Sequence, residues 1–98
     1  MEALFAHIGQ VKYLLAQLFE SGFLSARNVE NELASLAAAA KEMGFLKGSG
    51  LLEALAKEMT AFRGSPQGAQ GLMQAYSSAW SYYELVLKLL ITQSITNH

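Results

Sequence analysis

Few side chains in this 98-residue sequence have the chemistry for catalysis or metal binding. It carries two histidines, His7 and His98, eight acids that are all Glu, and no cysteine. Without cysteine there is no thiol nucleophile, no disulfide and no cysteine-based zinc site. A di-iron bundle needs a Glu three residues before a His on one helix, and neither histidine has one. At helical spacing His7 falls at the edge of an apolar face, the usual place of a structural histidine. Glu2, Glu20, Glu30, Glu32, Glu42, Glu53, Glu58 and Glu84 all fall on polar faces or at helix ends. No two of them share an apolar stripe, where burial could push a carboxyl toward acid–base work. The glycines of Gly44–Gly50 lack the preceding strand and the placed lysine of a phosphate-binding loop. The sequence therefore predicts a protein that is not an enzyme, with no catalytic residue, no metal and no cofactor.

The elements that would position these residues read as helices throughout. Helix 1, about residues 2–21, repeats Leu4, Ile8, Val11, Leu15 and Leu18, with Phe5, Leu14 and Phe19 flanking. Gly22 then supplies a left-handed stop. Ser25 offers an N-cap to helix 2, about 26–43, whose apolar line is Val29, Leu33, Leu36, Ala37, Ala40 and Met43. The strip Ala37–Ala40 lets a neighbour approach closely, so helix 2 is expected to face Trp80 or Tyr83. Three glycines in Gly44–Gly50 predict a loop, with Ser49 capping helix 3, about 50–63. Ser65-Pro66 opens helix 4, about 66–95, its regular part starting near Gln70. Short links between four helices, and no strand pattern, predict an all-α, up-down-up-down four-helix bundle in one domain, with a long C-terminal helix.

Composition narrows the partners. Charged residues make up 15% of the chain, against a usual ~25%, and the net charge is −1. Seven Lys and Arg spread singly along the chain make no basic patch for nucleic acid. No apolar run approaches the ~20 residues of a transmembrane helix, and the opening MEALFAHIG has an acid where a signal peptide wants positive charge. A soluble, cytoplasmic protein is the expectation.

A four-residue stretch and a broader rhythm over about half the chain, Leu18 to Phe62, each resemble a known family. Leu46-Lys47-Gly48-Ser49 resembles the Leu-Lys-Gly-Ser of histidine phosphotransfer domains. Their phosphorylated histidine stands two residues before the leucine; here that position is Gly44, so no phosphoacceptor carries over. The rhythm of Leu18-Phe19-Glu20-Ser21-Gly22-Phe23, Leu33–Leu36, Met43-Gly44-Phe45 and Leu51-Leu52-Glu53-Ala54-Leu55 resembles the helical region accompanying SWIM-type zinc fingers in some bacterial proteins. The cysteine and histidine ligands of that finger are absent. The resemblance implies an accessory interaction domain rather than an activity.

Helix 4 holds the only Trp and all Tyr but Tyr13. Its apolar arc spans roughly 200°, twice the ~100° stripe a surface helix needs. Tyr76, Ala79, Trp80, Tyr83, Leu87, Leu90 and Ile91 form the side expected to be closed over by the other helices. Tyr82, Leu85 and Leu89, at i, i+3 and i+7, are left over as a second apolar line. Contiguous exposed apolar residues mark contacts, so this line is expected to bind a protein partner or a second copy in a homodimer. The alternative reading is a small hydrophobic ligand or lipid held between helices by Tyr76, Trp80 and Tyr83.

Overall fold

A computed structural model of the chain describes residues 2–22, 29–64 and 69–96. They form four helices and, among the described residues, no strand: α1 (Glu2–Ser21), α2 (Val29–Glu42), α3 (Leu46–Gly64) and α4 (Ala69–Thr96). Ser25 and Pro66, named as helix starts from sequence, lie outside the described residues.

The apolar periodicity of each helix is what the core collects. Ile8, Val11, Leu15 and Leu18 of α1, Leu33 of α2, Leu52, Leu55 and Met59 of α3, and Leu72, Ala79 and Tyr83 of α4 are all but fully buried in one cluster. Burying a side chain of this size is worth about 1.5–3 kcal/mol relative to exposure, so this cluster dominates the favourable side of folding. Helix ends follow their local chemistry. Gly22 sits at φ 84°, and its N–H reaches the Leu18 carbonyl at 3.1 Å, closing α1. At the end of α2, Gly44 takes φ 81°. The N–H groups of Gly44 and Phe45 turn back to the carbonyls of Lys41 (3.0 Å) and Ala40 (2.8 Å), a Schellman closure.

Helix direction can be read from cross-helix pairs. His7 of α1 meets Tyr83 of α4, while Leu15 further along α1 meets Tyr76 earlier in α4, so these two helices run oppositely. A Cβ on Gly48 would touch Tyr83, and one on Gly71 would touch Glu58, which makes α3 and α4 antiparallel as well. Glu30 at the start of α2 bonds Arg63 at the end of α3 at 2.7 Å. That pair sets an acid at a helix N-terminus beside a base at a C-terminus, the arrangement both dipoles favour. α1 lies beside α2 and α4, and α3 beside α2 and α4; α2 and α4 are diagonal, with no close backbone approach among the described residues.

Three expectations from sequence are corrected. Gly44–Gly50 is not a loop, because α3 begins at Leu46 and contains Gly48 and Ser49, both buried. The Ser49 N–H donates to the Phe45 carbonyl at 3.1 Å, so Phe45 rather than Ser49 starts the helix. Gly48 is there for space: a Cβ would stand 2.6–2.7 Å from the Phe45 ring and the Tyr83 hydroxyl. Second, α2 ends at Glu42 and Met43 lies in the turn. Third, Ala37 and Ala40 are buried, but the backbone neighbours of α2 are α3 and α1 rather than the α4 that carries Trp80 and Tyr83.

The length of α4 does what its residue count demands. Level with Tyr83, α3 is at Gly48 and α1 at His7. Beyond that level α4 continues thirteen residues to Thr96, about 20 Å, whereas α1 has only five left to Glu2, about 8 Å. The last turns of α4 therefore extend past the rest of the bundle, and Ile91, expected to be covered, is exposed together with Ile95.

Candidate functional site

Three groups of residues carry chemistry beyond packing, and each involves α4. The first is buried. The Nε2 of His7 lies 2.8 Å from the Tyr83 hydroxyl; His7 is 3% exposed and Tyr83 0%. The Phe45 ring stands edge-on to the imidazole at 6.0 Å and to Tyr83 at 5.4 Å. Burial holds His7 below its ordinary value of 6.5 and pushes the Tyr83 phenol up, with Tyr82 adding to the rise. Both groups stay neutral at pH 7. A protonated phenol donates naturally to a neutral imidazole nitrogen, which leaves the imidazole proton on Nδ1. Nδ1 is buried and has no hydrogen-bond partner among the described residues. The pair joins α1 to α4, with Gly48 of α3 against the same hydroxyl. From sequence His7 belonged to the edge of its face. The missed signal was Tyr83, whose hydroxyl sits on the innermost line of α4 and so needs a polar partner.

The second group is an open cleft between α1 and α4, of about 320 Å³, lined by Ala16, Phe19, Glu20, Tyr76 and Trp80. Tyr76 is fixed from below: its hydroxyl donates to the Leu15 carbonyl at 2.6 Å, and burial raises its pKa. Its ring stacks against Trp80 (6.4 Å between centroids, 11° between planes) and Phe19 (6.3 Å, 28°). Lys12 places its Nζ 4.9 Å from the centre of the Trp80 ring. Of the three residues proposed as a ligand pocket, Tyr76 and Trp80 thus share this cleft. Tyr83 does not, because the His7 bond holds it in the core. Phe19, 67% exposed, supplies the wall that Tyr83 was expected to provide.

The third group is the leftover apolar line of α4, which divides. Tyr82 is half-buried, stacked on Phe45 (5.6 Å, 24°) with the Lys47 Nζ 5.3 Å from its ring centre. Leu85 and Leu89 are 54% and 59% exposed, one turn apart. Leu46, on the first turn of α3, is exposed as well.

Among the described residues no three His, Cys, Asp or Glu side chains gather to hold a metal ion. None of the helices is long and apolar enough to cross a membrane. The chain matches no family model, no curated protein and no solved structure.

Proposed function

We propose that this domain is a non-enzymatic helical interaction module that associates with a second copy of itself through the outer edge of α4. The observation that carries this reading is the pair Leu85 and Leu89, left more than half exposed on adjacent turns. Two large aliphatic side chains in water at i and i+4 are a contact surface in waiting. The low charge of the chain supports it too, since a net charge of −1 gives little repulsion between copies. Light scattering coupled to size exclusion, over a range of concentrations, tests it. A dimer that Leu85→Glu/Leu89→Glu converts to monomer is the expected result; a wild type monomeric at every concentration sinks the self-association reading.

A second reading, ligand binding between helices, is favoured by one observation: Phe19, Tyr76 and Trp80 line one open cleft. The two sites use different parts of α4 and are compatible.

A further inference from the structure

We propose that the α1–α4 cleft binds a small free organic cation, a tertiary or quaternary ammonium with apolar substituents. This rests on the ligand-binding reading of the cleft and is independent of the Leu85–Leu89 edge.

Three features of the cleft point to positive charge. Its walls are aromatic: Phe19, Tyr76 and Trp80, with Ala16 as the only small apolar residue between them. Aromatic faces carry negative charge density, and they attract cations that shed water easily. At one end stands the Glu20 carboxylate, which pairs with no cation among the described residues. An anion would meet that carboxylate, and a plain hydrocarbon would strip water from it without return. Finally, the Trp80 ring already takes a cation from within the chain, the Lys12 ammonium at 4.9 Å. Lys12 sits eight residues from Glu20 on α1, about 12 Å along the axis. The Lys12 ammonium stands on the Trp80 wall itself, so a ligand cation seats at the Phe19, Tyr76 and Glu20 end of the cleft.

The size and chemistry of the cleft select among cations. A volume of about 320 Å³ is at the small end for ligand sites, fitting an alkylammonium rather than a large cofactor. A metal ion would find one carboxylate and no second hard ligand there. A weakly hydrated ammonium with methyl substituents matches both the rings and the acid.

The test uses Trp80, the only tryptophan, as reporter. The full chain is titrated at constant ionic strength with choline and, separately, with its uncharged isostere 3,3-dimethyl-1-butanol. Choline should change the fluorescence saturably, at lower concentration than the alcohol. Phe19→Ala and Glu20→Gln alter exposed side chains, so the fold, checked by circular dichroism, should be unchanged. Each should weaken choline binding roughly two- to five-fold, the size of an exposed cation–π or charge contact. Equal response to the alcohol overturns the cation and leaves an apolar-ligand site. No saturable response to either overturns both readings. Choline binding that neither substitution weakens overturns the placement. Binding to phosphatidylcholine vesicles but not to free choline overturns the free ligand in favour of a membrane surface.

Discussion

The Nε2 of His7 and the hydroxyl of Tyr83 lie 2.8 Å apart across 76 positions of sequence. Around that bond three helices meet, because Gly48 of α3 lies against the same hydroxyl. A buried polar pair of this kind costs desolvation, and breaking it by removing one partner costs more than replacing both.

Tyr83→Phe should therefore destabilise the protein by about 1–3 kcal/mol, since it leaves the buried His7 ring with neither nitrogen bonded. The double substitution His7→Phe/Tyr83→Phe should be less destabilised than the sum of the two single ones. Urea unfolding of the four proteins measures this coupling; strict additivity would mean that the hydrogen bond contributes nothing.

Acid should weaken the fold through His7. Its pKa in the folded protein is lowered from 6.5 by burial, so below that value the unfolded chain binds a proton the folded one resists. Stability is complete above pH 6.5, falls as the pH drops through that value, and levels once the folded-state pKa is passed. Urea midpoints at pH 7.5 and pH 5 should differ more in wild type than in His7→Phe. An equal pH dependence in the two proteins would remove His7 as the cause.

Two glycines of α3, two residues apart, should respond to alanine in opposite ways. At Gly48 a methyl group would meet Phe45 and the Tyr83 hydroxyl at 2.6–2.7 Å, and overpacking of that kind costs about 1–3 kcal/mol. At Gly50 nothing lies within 4 Å. There alanine should stabilise by about 0.5–1 kcal/mol, through helix propensity alone. Thermal or urea unfolding of the two variants distinguishes this from a loop at Gly44–Gly50, where neither trend would hold.

Leu85→Glu and Leu89→Glu should leave monomer stability within about 0.5 kcal/mol, as surface substitutions do, while changing association. Measuring unfolding at concentrations below dissociation separates the two effects. A large loss of stability there would place these side chains in the core instead.

Replacing Gly44 by alanine should cost about 1 kcal/mol, because φ 81° is a left-handed conformation that a Cβ disfavours. Urea unfolding reads the loss directly. No change would mean that the turn relaxes to another closure.

Local information was enough for the elements themselves. The four-three spacing of Leu4, Ile8, Val11, Leu15 and Leu18 defines α1 without help from elsewhere, and Gly22 and Gly44 stop their helices through backbone chemistry written in one residue. The split of α4 into a covered and an uncovered side was also legible for Leu85 and Leu89, because helical period fixes which residues share a face. What one helix cannot state is who stands opposite it. Gly48 looks like a turn residue in sequence and proves to be a gap that a ring and a hydroxyl from other positions fill. The alanine strip of α2 advertises close approach but not to which helix, and it was α3 that came. Likewise Tyr76 and Tyr83 occupy one line of α4 with the same side chain. Tertiary packing alone decided that His7 would hold Tyr83 inside while Phe19 left Tyr76 and Trp80 beside an open cleft, because pairing across the bundle depends on distances between helices that no single period contains.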